Sequence, residues 1–201
     1  MVDVIAGIAG TWSLARGERG WEDRMPMDAG AVFTSFWAVP LALPAVAVTA
    51  YAGRQAVRAS GAEAALEAAA ATAVPINVAA AIASWALSLL VLVQLANRPG
   101  EARVAAWRVS PLIVGYNWSR LIVNGVAGLG ALVILATGAW PVLSLTGLVV
   151  LTLTVWLDVG VIRHALALTP GRTAGALAFV LLARVLAVLG VGALAQVFVA
   201  L

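Results

Sequence analysis

The chain has 201 residues, of which 63% are hydrophobic and only 10% charged, against roughly 45–50% and 25% in a soluble domain. That composition belongs to a membrane protein and excludes an ordinary water-soluble fold. There is no Cys, which removes disulfides, thiolate metal sites and cysteine nucleophiles. All twelve basic residues are Arg, and the formal net charge is +3. They are scattered singly between apolar runs, which is a topology signal and not a nucleic-acid footprint. An arginine-only basic set also points to GC-rich coding and a bacterial source.

Residues 1–30 form a cytoplasmic leader too short for a core of its own. Within it Val4 or Ile5, Ile8, Trp12 and Ala15 recur about once per helical turn, which predicts a short amphipathic helix lying in the membrane interface, read as an ordinary leader that fixes the first span in preference to a docking helix. It is no signal peptide, since Asp3 interrupts the apolar run and Arg16, Glu18 and Arg19 follow it. Asp28 is placed to cap a first span over 31–52, about 33 Å long at 1.5 Å per residue. Phe33, Phe36 and Trp37 near one end and Tyr51 at the other make aromatic belts. Pro40 and Pro44 predict a kink, because each removes a backbone donor and crowds the preceding turn.

Ser60 and Glu63 form a capping box that opens a surface helix over 62–73. Pro75 leads into a second span over 75–96, and Asn97-Arg98-Pro99-Gly100 stops it. An interfacial helix over 101–109 follows, carrying Arg103, Trp107 and Arg108. Pro111 restarts the chain, and the third span runs over 111–137. Gly138-Ala139-Trp140-Pro141 predicts a tight hairpin into a fourth span over 142–162, ending at Arg163-His164. After Thr169-Pro170-Gly171-Arg172 a fifth span covers 174–200. The fold class is therefore all-α: a polytopic bundle of five transmembrane helices, residues 31–201, with short interfacial helices.

With the N-terminus inside, the inner segments hold Arg16, Arg19, Arg24, Arg98, Arg103, Arg108, Arg120, Arg163 and Arg172, and the outer ones only Arg54 and Arg58. Nine against two under the positive-inside rule sets the N-terminus in the cytoplasm and the C-terminus outside, in a bacterial inner membrane.

Arg120, Asp158 and Arg184 are ionisable residues at membrane depth, where each costs about 2.5–3.5 kcal/mol on insertion scales and so asks for a partner. Asn117, Arg120 and Asn124 share one stripe of the third span, with Gly125, Gly128 and Ala131 continuing as small residues at a close helix contact. Asp158 lies about 7–8 Å from the inner end of the fourth span and Arg184 about 15 Å into the fifth. The expectation is that Asp158 pairs with Arg120, Arg184 or both, in an intramembrane polar cluster of Asn117, Arg120, Asn124, Asp158 and Arg184 that clamps helices together or lines a path, the alternative being charged side chains that snorkel independently.

No catalytic, cofactor or metal site is expected. One intramembrane Asp does not make a protease dyad, the sole His164 has no nucleophile elbow beside it, and the spans lack clustered ligands. His164 reads as an interfacial residue before an axial ligand. Trp85 and Trp156 fall within spans, where each indole N–H wants an acceptor. Gly171 and Gly175 form a weak Gly-x-x-x-Gly spacing.

Gly115-Tyr116-Asn117-Trp118 at the third span, with five spans in about 200 residues, resembles the Yip1-type five-span membrane proteins and their small bacterial relatives. Phe33-Thr34-Ser35-Phe36-Trp37 likewise resembles a segment of uncharacterised bacterial proteins of this size. The resemblance covers 31–201 and implies membrane organisation or partner binding without catalysis. The sequence thus favours an interaction, assembly or accessory subunit whose partners are the lipid bilayer and other integral membrane proteins or further copies of itself. The alternative is a small transporter or channel component that uses the polar cluster. Internal repeats that would mark a transporter are not visible, since the Pro-interrupted first span has no counterpart.

Overall fold

The structure is a computed structural model, and it describes residues 3–59, 73–97 and 106–200. Those residues are helical, with no strand among them. The helices are α1 (Val4–Arg16), α2 (Trp21–Arg24), α3 (Ala29–Ser35), α4 (Ala38–Ala59), α5 (Ala73–Ala96), α6 (Val109–Thr137), α7 (Val142–Leu166) and α8 (Pro170–Ala200), with a 3₁₀ turn over Ala106–Arg108 before α6. Five stretches are long and apolar enough to cross a membrane, α3 and α4 together making the first. The capping box at Ser60 and Glu63, the surface helix over 62–73 and most of the interfacial helix over 101–109 lie outside the described residues.

Local chemistry sets the boundaries. Asp28 caps α3 through its carboxylate, which accepts from the Ala31 amide at 2.6 Å. The first span then breaks at Phe36 and Trp37, the residues where Pro40 withholds its donor and pushes against the Phe36 carbonyl. The backbone tightens there into bonds of three-residue reach, from Val39 N to Phe36 O and from Trp37 N to Thr34 O. Pro44 is accommodated inside α4, which continues seven residues beyond the predicted 52. Gly138 ends α6 in the left-handed conformation and turns the chain into α7. α7 runs to Leu166 and not to 162, so Arg163 and His164 sit in its last turn. Pro170 opens α8 four residues earlier than predicted, at the first-turn position proline favours.

α6 is the axis of the bundle. It packs against α4 and α7 along their lengths and against α1 and α3 at its own start; α5 joins α4 to α8, and α8 returns to α7, closing the ring. Gly128 is buried at the α4 contact, where it meets Ala45, and Ala131 is buried one turn on. Gly125 meets no neighbour, and neither do Gly171 and Gly175, so the Gly-x-x-x-Gly spacing makes no close contact among the described residues.

The leader departs most from the sequence reading. α1 is not a free interfacial helix; it docks into the bundle across α6 and α7. Its buried face is Gly7, Gly10, Thr11, Ser13, Leu14 and Ala15, whereas Ile5 is 81% and Trp12 41% exposed. Of the residues that suggested an interfacial stripe, Ile5 and Trp12 face outward while Val4 and Ile8 pack at the edge of the core, and the small residues decide the packing, because they let two backbones approach. Gly160 of α7 shows this: a Cβ there would run into the Ala15 backbone. Leu14 fills the notch opposite Gly115, and Trp12 stacks obliquely on Trp156 with ring centroids 5.0 Å apart. α1 ends at Gly17 in the left-handed conformation, its Cα against the His164 ring. Beyond the turn, Glu18 accepts from Ser13 at 2.9 Å and pairs with Arg16 and Arg24.

Candidate functional site: an arginine-rich cavity at membrane depth

Four spans and the hinge of the first meet around Tyr116, Asn117, Arg120 and Asn124 on α6. Asn117 is fully buried and satisfied at both ends of its amide: Oδ1 accepts from the Trp85 indole at 2.9 Å and Nδ2 donates to Ser35 Oγ at 2.8 Å. It therefore ties α3, α5 and α6 together and supplies the acceptor that the Trp85 N–H requires. Phe36 packs edge-on to the same indole at 5.7 Å. Asn124 is also a helix-bound group, donating to the Arg120 carbonyl one turn back at 2.8 Å. The polar stripe on α6 thus divides, Asn117 into a helix clamp and Arg120 into an ionic cluster.

In that cluster Asp158 pairs with both arginines. Oδ1 accepts from Arg120 Nη2, and Oδ2 lies 2.7 Å from Arg184 Nη2. The second contact is an ion pair without the alignment of a hydrogen bond. Side-chain exposure is 0% for Asp158, 12% for Arg120 and 18% for Arg184, so all three charges are withdrawn from bulk water. Arg120 is further held by Ser119 Oγ at 3.3 Å and lies over the Tyr116 ring, 5.0 Å from its centroid. Arg184 Nη2 also donates to the Tyr116 hydroxyl at 3.3 Å. Tyr116 is fully buried and so serves both cations, one with its face and one with its hydroxyl.

These groups line a cavity of about 250 Å³ with contributions from all five spans: Val39, Ala42, Leu43 and Val46 of α4, Ile82 and Trp85 of α5, Tyr116, Arg120 and Asn124 of α6, Thr154 of α7 and Arg184 of α8. A second hollow of about 540 Å³ adjoins it toward the end of the bundle that carries the α6–α7 hairpin. Val46, Ala81 and Asn124 line both. Thr49, Arg54 and Asn77 add polar groups to the second. At the leader end Leu14, Leu112, Leu157 and Val161 are fully buried and closely packed, beside a hollow of about 220 Å³ lined by Asp28, Thr34, Val114 and Trp118. That hollow shares no lining residue with the cluster's cavity, whereas the one at the hairpin end does.

No protein-family model matches the chain, and no curated protein or solved structure matches it. Its chemistry has to be read from the cavity itself. Of the residues singled out in the sequence, Arg120, Asn124 and Arg184 line the cavity, Asp158 holds two of them from behind, and Asn117 stands one turn away as a structural tie. Sequence reasoning missed Tyr116, Ser119 and Thr154 because uncharged hydroxyls at membrane depth carry no distinctive cost. Arg54 counts only as a topology marker in the sequence, although the adjoining hollow is lined by it. His164, at the other end, is half-buried with Nδ1 lacking a partner among the described residues and packs on Gly17.

Proposed function

We propose that this multi-pass protein admits a small anion from the hairpin end into the arginine-lined cavity, acting as a transporter or channel component. One observation carries the reading: two guanidiniums face one carboxylate, and a guanidinium does not deprotonate in proteins. The ionic cluster consequently holds a surplus of one positive charge at membrane depth. Asp158 offsets one charge, and nothing described in the cavity lining offsets the other. A helix clamp needs one cation for one anion; a second buried cation costs several kcal/mol, which sharing Asp158 offsets only in part. A binding site for an anion gives the surplus a purpose, and the polar hollow lined by Arg54, Asn77 and Asn124 gives it a route.

The orientation follows from the arginines. Counting Arg120 within the cluster leaves eight in the segments that the order of spans assigns to the leader's side, namely Arg16, Arg19, Arg24, Arg98, Arg103, Arg108, Arg163 and Arg172, against Arg54 and Arg58 on the other. The leader accordingly faces the cytoplasm of a bacterial inner membrane, and the cavity opens outward. The test is flux. Reconstituted into liposomes, the protein is expected to carry anion-dependent current that falls at least tenfold in Arg184→Gln. Currents no larger than those of protein-free vesicles, over a panel of inorganic and organic anions, would sink the reading.

An accessory subunit remains the competing class, and copurification from native membranes in mild detergent separates the two. A stoichiometric partner, together with silent liposomes, favours the subunit.

A further inference from the structure

The cavity has two unlike walls. Arg120, Asn124, Thr154, Arg184 and the Tyr116 hydroxyl lie on α6, α7 and α8 beside Val123, while α4 presents Val39, Ala42, Leu43 and Val46 and α5 presents Ala81, Ile82 and Trp85 with one hydroxyl, that of Ser84. An inorganic anion would be served by the first wall and would leave the second in contact with trapped water, which apolar surface disfavours. The volume of about 250 Å³ corresponds to about eight waters at roughly 30 Å³ each. Taken without the adjoining hollow, it is too small for the body of a lipid and falls just under the range of about 300–1,000 Å³ that receives drug-sized ligands.

Charge and shape narrow the head group. A surplus of one positive charge is neutralised by a monoanion; a dianion would leave a net negative site. Guanidinium forks match planar carboxylates through paired N–H bonds. A carboxylate already sits between the two side chains, that of Asp158, and the ion pairs and the Tyr116 bond run through the Nη2 atoms. Nη1 of each arginine stands outside those contacts.

We infer that the ligand is a small organic monocarboxylate, its carboxylate on Arg184 and Arg120 and its apolar body against Val39, Leu43, Val46 and Ile82, an inference that rests on the anion-pathway reading above. Room for about eight water-sized groups suits acids from butyrate to hexanoate or benzoate.

Binding to the full chain in lipid nanodiscs tests it, with acetate, butyrate, hexanoate, hexanamide and chloride as probes at constant ionic strength. Affinity should rise about fourfold per added methylene from acetate to hexanoate. Hexanamide should not bind, and Arg184→Gln should weaken hexanoate at least tenfold. Ala81→Leu, at the junction of the two hollows, should weaken hexanoate at least tenfold while leaving acetate within about twofold, and it decides the matter should Arg184→Gln not fold. Chloride binding as tightly as hexanoate, with dependence on Arg184, would overturn the carboxylate assignment and leave the anion pathway standing. Equal binding of hexanamide and hexanoate, or no Arg184-dependent binding of any anion, would overturn both. Ala81→Leu acting equally on acetate and hexanoate, or on neither, would overturn the assignment of the apolar wall.

Discussion

The surplus charge makes an unequal prediction for the two halves of the ionic cluster. Asp158→Asn keeps the shape of the side chain but leaves Arg120 and Arg184 facing each other with no counter-charge. Breaking a buried pair costs about 3–5 kcal/mol, and with side chains only 12% and 18% exposed little of that is recovered by water. Two cations are orphaned at once, so the figure is a lower bound. Arg184→Gln does the reverse, leaving Arg120 paired with Asp158 in a neutral site. It loses the 2.7 Å ion pair with Asp158 and the Tyr116 hydrogen bond, the latter about 0.5–1.5 kcal/mol, and relieves a surplus charge whose insertion costs about 2.5–3.5 kcal/mol. Loss and relief oppose each other, so the ligand-free Arg184→Gln protein should stay close to wild type and lie above Asp158→Asn by about 3 kcal/mol. The double variant leaves Arg120 alone and should fall near the cost of one broken pair. The assay is the surviving folded fraction after stepwise heating in mild detergent, read by size-exclusion chromatography. An Asp158→Asn protein that melts with wild type, or an Arg184→Gln protein as damaged as Asp158→Asn, would refute the charge argument; the latter result describes a three-membered clamp.

Three further outcomes follow from other contacts. Asn117→Leu removes the acceptor of the Trp85 indole and the donor to Ser35 and should cost about 1–3 kcal/mol in the same heating assay; an unchanged profile would show that Asn117 does not tie α3 to α5. Gly160→Leu forces a side chain into the Ala15 backbone, so the amides of Val4–Arg16 should exchange with deuterium about ten- to a hundredfold faster while α6 keeps its protection, the equivalent of about 1.4–2.8 kcal/mol at 1.4 kcal/mol per decade. Exchange no faster than wild type would remove the case for a docked leader. Because the chain has no Cys, a single cysteine at Ala139 should react with a membrane-impermeant maleimide from outside intact cells, and one at Thr169 only after lysis; the opposite pattern inverts the orientation.

The sequence by itself determined that the chain is a bundle of five spans, because each apolar run is long enough to cross a bilayer and is bounded by residues whose backbone preferences are local: Asp28 at a helix start, Gly138 and Pro141 at a hairpin, Pro40 and Pro44 in a span that must yield. It also identified the costly groups, since an arginine or aspartate at membrane depth is conspicuous whatever the packing. That Asp158 would be shared between Arg120 and Arg184, and that Asn117 would leave the stripe to serve Ser35 and Trp85, depended on rotations of α3, α5, α7 and α8 about their axes. Apolar sequences leave those rotations undetermined, because lipid and protein neighbours are equally apolar and an amphipathic face gives no direction. The leader shows the same limit from the other side. Its large residues suggested a face lying on the membrane interface, and its glycines and small residues made the face that docks, because what holds α1 against α6 and α7 is the closeness of two backbones, and which backbones come close is a property of the folded bundle.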